Sequence, residues 1–176
     1  MGRYCVLLIA AWSLLLTGGA VRAEDALYRA YADGSDEKMA LLETAETHLA
    51  AIRRKAYDPA VQVHWPTDED VSRLLANRIP AVLVIERELA MKPEGRYLEA
   101  MAYMTCALGA RRLTRRMPEL FLMAEQHDTR VRLLRMMGEL RSRDSLAFLQ
   151  DYLRKAKADA PDDLIEICDR MMAKTP

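Results

Sequence analysis

The chain has 176 residues, equal numbers of acidic and basic side chains, 30% charged and 6% aromatic residues. So even a balance excludes the strongly basic surface by which nucleic-acid binders hold phosphate, and three cysteines are too few for a disulfide-built scaffold. Leu, Ala, Met, Arg and Glu dominate, which are good helix formers.

The first residues read as a leader. Arg3 supplies a positive start, Val6 to Leu16 form an apolar run, and Gly18-Gly19 break it. Val21-Arg22-Ala23 places small residues where a signal peptidase reads, so residues 1–23 are expected to be cleaved before Glu24. The run is shorter than the ~20 apolar residues that span a bilayer, and no second long run follows. The expectation is a periplasmic or secreted chain with no integral membrane segment after cleavage.

Residues 24–78 read as an N-terminal helical cap or a diverged repeat. Met39, Leu42, Ala45, Leu49 and Ile52 recur at three- and four-residue steps, which predicts a helix over 35–57. Asp58-Pro59 ends it, because proline lacks the donor and disfavours helix in its predecessor. In the piece that follows, Val61, Val63 and Trp65 alternate, but no partner strand is in sight. Thr67 then reads as the cap of a helix with an acidic first turn, running to about Arg78.

Residues 79–176 continue as helix after helix. Pro80 opens one, since proline is tolerated in a first turn, and Lys92-Pro93-Glu94-Gly95 breaks the chain after Met91. Further helices are predicted at 97–110, 117–126, 129–141, 145–158 and 162–173, with Arg111 to Arg116 left as a loop leading into Pro118. Three helices begin alike, at Ile79-Pro80-Ala81-Val82, Met117-Pro118-Glu119-Leu120 and Leu146-Ala147-Phe148-Leu149. In the middle unit, Asp128-Thr129-Arg130-Val131-Arg132 follows Pro118, and Ala107-Leu108-Gly109 closes the helix before it.

In these residues the chain resembles HEAT-like repeats of the short, phycobilisome-lyase-like type: an apolar-Pro-x-Leu helix, an Asp-x-x-Val-Arg turn, and a second helix ending Ala-Leu-Gly. The likeness is close over 107–149 and looser over 79–106 and 150–173. Tyr97-Leu98 and Leu164-Ile165 stand where the Val-Arg pair is absent. The resemblance implies an all-α fold, a short right-handed α-solenoid of about three to four helical hairpins, each burying its apolar stripe against the next. It also implies that Asp128 and Arg132 pin the turn between units. Cys106 and Cys168 would then lie two units apart, well beyond the ~7 Å that a disulfide allows.

Catalytic and metal-binding patterns are absent from the sequence. His48, His64 and His127 lie far apart, without the short spacings of a zinc site. Met101 and Met104, Met136-Met137 and Met171-Met172 fall at helical spacing, where methionine is adaptable core filler. No cofactor is expected. From Arg111 to Lys157 basic residues outnumber acidic ones two to one, and Arg111, Arg112, Arg130, Arg132 and Arg135 are the candidate binding residues. They would converge on one face and attract an acidic segment of a protein partner. A second candidate surface carries Tyr97 and Tyr103. The expected function is a non-catalytic interaction or assembly module, the alternative being a lyase-like or chaperone-like helper that holds a substrate in the groove of the solenoid.

Overall fold

The computed structural model describes Arg29, Tyr31, residues 34–156 and residues 161–173; the leader expected over 1–23 lies outside them. Among the described residues all regular structure is helical, so the fold is all-α. The chain divides between Leu41 and Leu42 into two compact units. In the first, the Ser35 carbonyl accepts from the Lys38 and Met39 amides as helix α1 (Asp36–Tyr57) begins, and Lys38 Nζ stands 5.8 Å from the Tyr31 ring centroid.

In the second unit α1 buries Leu42, Ala45, Leu49, Ile52 and Ala56, the three- and four-residue rhythm of one helical face. Helix α2 (Glu69–Ala76) is fastened to it through side chains, His48 to Asp70 and Lys55 to Asp68. Its cap differs from the one expected. Asp68 Oδ1 accepts from the Val71 amide at 3.1 Å, while Thr67 closes a 3-10 turn over Trp65–Thr67 and its hydroxyl donates to the His64 carbonyl. Pro66 sits at the head of that turn and delays the α-helix by a residue. A carboxylate then meets the helix's positive end, which it stabilises better than a hydroxyl does.

The next helices are α3 (Arg78–Ala90) and α4 (Gly95–Leu108). Gly95 takes a φ of +53°, which lets α4 start two residues before the predicted boundary, and Gly109 at φ +59° ends it with a left-handed residue. The stretch expected as a loop before Pro118 contains a turn of helix, α5 (Arg111–Thr114). Helix α6 (Met117–Met123) stops short of residue 126 because Ala124 is extended. Helix α7 (His127–Leu140) ends on a left-handed Arg141. Helix α8 (Arg143–Ala156) starts before residue 145, since Ser142 Oγ accepts from the Ser145 amide at 3.1 Å. Helix α9 (Asp162–Ala173) occupies the predicted segment.

Packing sorts these helices into two sets. Helix α7 packs on α4 and on α9. The partners run in step: Glu99 with Thr129 and Arg132, then His127 with Asp163 and Gly138 with Met171. Each step joins residues separated by between 30 and 36 positions, so α4, α7 and α9 lie parallel. Helices α3, α5, α6 and α8 form the other set. Arg112 of α5 reaches Glu86 of α3, and Phe121 of α6 meets Phe148 and Tyr152 of α8 at ring-centroid distances of 5.4 and 5.1 Å. Fully buried Leu98, Met101, Met104, Met117, Leu133 and Leu134 fill the space between the sets, so these methionines serve as core filler.

Candidate functional site

Two cavities open along the seam between α4 and α7. One, of about 440 Å³, is lined by Tyr57, Glu94, Leu98, Glu125 and Thr129 with their neighbours. The other, of about 610 Å³, is lined by Trp65, Tyr103, Asp128, Arg132 and Met136 with theirs. Arg96 and Gln126 line both, so the two cavities adjoin across these two side chains and together form the α4–α7 groove. Its walls climb from Glu94 to Tyr103 on α4 and from Glu125 to Met136 along α7. The groove therefore runs lengthwise between two parallel helices.

The segment between α1 and α2 forms one rim. It has no strand; instead Arg96 holds it, with Nη1 donating to the Asp58 carbonyl at 3.0 Å and Nη2 to that of Val61 at 2.6 Å. Trp65 is buried, with only 8% of its surface exposed. On the floor, Glu99 is 12% exposed and accepts from Arg132 Nη1 at 2.6 Å and from the Thr129 hydroxyl at 2.8 Å. Those two bonds fix the register of α7 on α4. Glu94, Glu125 and Asp128 are exposed, and among the described residues no ion pair reaches them.

The structure divides the candidate residues among several places. Tyr103 and Arg132 share the larger cavity. Tyr97 is buried under Tyr57, ring centroids 5.7 Å apart, and donates to Glu88 Oε2 at 2.9 Å. Burial and the Glu88 carboxylate push its phenol up, and it takes no part in the groove. Three of the candidate arginines are engaged by separate partners. Arg112 turns to Glu86 on α3 with Nη2 at 2.5 Å from Oε2. Arg130 Nε donates at 2.7 Å to the Ala124 carbonyl at the end of α6, a cation at the negative end of a helix. Arg111 and Arg135 are exposed and line neither cavity. Each of Arg112, Arg130 and Arg132 thus fastens a different pair of elements.

Sequence reasoning passed over Arg96, Glu99 and Gln126. Nothing local marks them, because their roles come from elements some 30 residues away. Trp65 beside Pro66 in an irregular segment was the one available signal.

Reactive groups are scattered. His48 pairs with Asp70, His64 with Thr67 and His127 with Asp163, three places far apart in the sequence. Among the described residues no group of three or more His, Cys, Asp or Glu side chains is arranged to hold a metal. Cys106 and Cys168 are free thiols. Burial pushes both up to about 12, helped by Glu139 at Cys106 and by Asp169 at Cys168, so both stay protonated at neutral pH. No described helix is long and apolar enough to cross a membrane. Comparison with protein-family models, curated proteins and solved structures gives no match.

Proposed function

We propose that this chain is an exported, non-catalytic helical-repeat module that holds an extended segment of a protein partner in the α4–α7 groove. The observation that carries this reading is the pair of cavities that adjoin at Arg96 and Gln126, both lined by side chains of α4 and α7. In this reading α3–α4, α5–α7 and α8–α9 are successive HEAT-like hairpins of a short right-handed solenoid. The step of 30 to 36 residues between contacts on successive second helices supports it, as does the resemblance over residues 107–149. Stacked hairpins present such a lengthwise surface as a by-product of sharing one core. Catalysis has little to draw on among the described residues, where the thiols are protonated and the histidines lie apart.

The test is affinity capture from the native exported fraction with the wild-type chain and with Tyr103→Glu. A protein captured by the first and lost from the second supports the module. An identical captured set from both places the partner elsewhere. Intact mass of the native chain checks export, and a chain that begins at Glu24 is the expected result.

A further inference from the structure

We propose that the occupant of the groove is an extended, cationic polypeptide segment, with Lys or Arg side chains alternating with apolar ones. This rests on the reading of the groove as the binding surface and adds what it selects. Four carboxylates, Glu94, Glu99, Glu125 and Asp128, line the two cavities against two guanidinium groups, Arg96 and Arg132. Both guanidiniums are already engaged. Arg132 is paired with Glu99, and Arg96 points its donors at the Asp58 and Val61 carbonyls. Arg96 keeps its charge, since those carbonyls are neutral, but the lining still holds two more carboxylates than guanidiniums, and no described ion pair reaches Glu94, Glu125 or Asp128. The groove thus carries a negative field although the surrounding segment, Arg111 to Lys157, is rich in arginine.

Apolar surface sets the other half of the preference. Trp65, Pro66, Tyr103 and Met136 line the larger cavity, and Leu98 and Tyr57 the smaller. A cationic head would find a carboxylate at the rim, Glu94 or Glu125 at one end and Asp128 at the other. An aromatic face at Trp65 or Tyr103 adds attraction for a cation, and the alternate apolar side chains would fill the floor. From Gly95 to Tyr103 the α4 wall rises about 12 Å at ~1.5 Å per residue. An extended chain covers that length in about four residues at ~3.3 Å each. The two cavities give such a segment two places for alternate side chains, one on each side of Arg96 and Gln126.

Trp65 supplies the readout, since the chain's other tryptophan is Trp12. Trp65 emission of the purified chain is followed while short peptides are added: alternating Lys and Leu, alternating Glu and Leu, and Gly-Ser of the same length. The Lys-Leu peptide is expected to shift the emission saturably, and Tyr103→Ala is expected to abolish the shift. Glu125→Gln and Asp128→Asn should each weaken binding by about threefold, the size of one exposed ion pair. Glu43→Gln on α1, whose side chain lies outside the groove, should leave it unchanged. Tyr103-dependent binding of the Glu-Leu peptide as tight as that of the Lys-Leu peptide would overturn the charge preference while leaving the groove as the binding surface. Lys-Leu binding that ignores Glu125→Gln and Asp128→Asn, or that Glu43→Gln weakens equally, overturns it too. If no peptide gives a Tyr103-dependent signal, the groove reading and this inference fail together.

Discussion

Helix α7 has two flanks that are built in opposite ways. Toward α9, beyond the exposed His127–Asp163 pair at its first turn, it packs closely: Gly138 is buried, and a Cβ built there would come within 2.5 Å of the Met171 Cγ. Cys168, Leu164 and Ile167 of α9 are buried as well. Toward α4 its first turns carry Thr129 and Arg132, both tied to Glu99, and beyond that polar fastening the seam opens into the groove. The same helix is sealed on one side and left with a polar, hollow margin on the other. Close packing fixes a neighbour through shape. A hydrogen-bonded acid fixes a neighbour by register and leaves room beside it. The polar flank is therefore where a ligand can enter without unpacking the core.

The largest effect should come from breaking the close-packed flank. Gly138→Ala forces a methyl into Met171 and is expected to destabilise the chain by about 2–3 kcal/mol through overpacking. Thermal unfolding measures it, and adding Met171→Ala, which removes the Cγ and Sδ but keeps the Cβ at 2.7 Å, should recover part of the loss. A Gly138→Ala variant no less stable than the wild type would show that Met171 moves aside without cost. Glu99→Ala attacks the polar flank. It leaves Thr129, 2% exposed, without its acceptor and Arg132 without its partner, an expected cost of about 1–2 kcal/mol. Unlike Gly138→Ala, it should also change Trp65 emission, because Glu99 and Trp65 line one cavity.

Acid sharpens the comparison. Between α1 and the start of α2 lies a second polar cluster, where Lys55 Nζ bridges Asp68 at 2.6 Å and Asp70 at 2.8 Å and His48 Nδ1 meets Asp70 at 2.9 Å. Burial pushes the Asp70 carboxyl up, but the hydrogen bonds from Lys55 and His48 outweigh it and hold the group below its ordinary value. The stability it supplies is present above its unfolded pKa of about 3.9 and disappears as pH falls through the lower folded value. Denaturant midpoints taken from pH 5 down to pH 2 (both values chosen about the pKa) should fall less steeply in Asp70→Asn, by less than about 1 kcal/mol for so accessible a pair. An unchanged slope would show that the pair contributes no stability. The smallest effect belongs to Arg111→Glu and Arg135→Glu, exposed positions outside both cavities, where changes within about 0.5 kcal/mol are expected.

The sequence carried the all-α class and the helix order well, because apolar spacing, prolines and glycines are local signals. Leu42 to Ile52, Pro118 and Gly109 each act within a turn or two of their own position. It carried the caps less well. Thr67 and Asp68 are both acceptable caps by composition, and only the turn made by Pro66 decides between them. The site was least legible. An arginine run looks alike whether it faces solvent or is spent on distant partners, and Arg112 and Arg132 find theirs at Glu86 and Glu99. Arg96 looked ordinary in sequence, yet it lines both cavities of the groove.

The central claim is that the α4–α7 groove is where a partner binds, and a photo-crosslinking residue placed at Tyr103 in the native host tests it most directly. The same residue at Ser72, exposed on α2 and outside the groove, serves as the reference. A discrete crosslinked species formed from position 103 and not from 72, and lost at high salt where exposed charges are screened, is the result expected. Crosslinks of equal yield from both positions, or none from position 103 in the exported fraction, would contradict the claim.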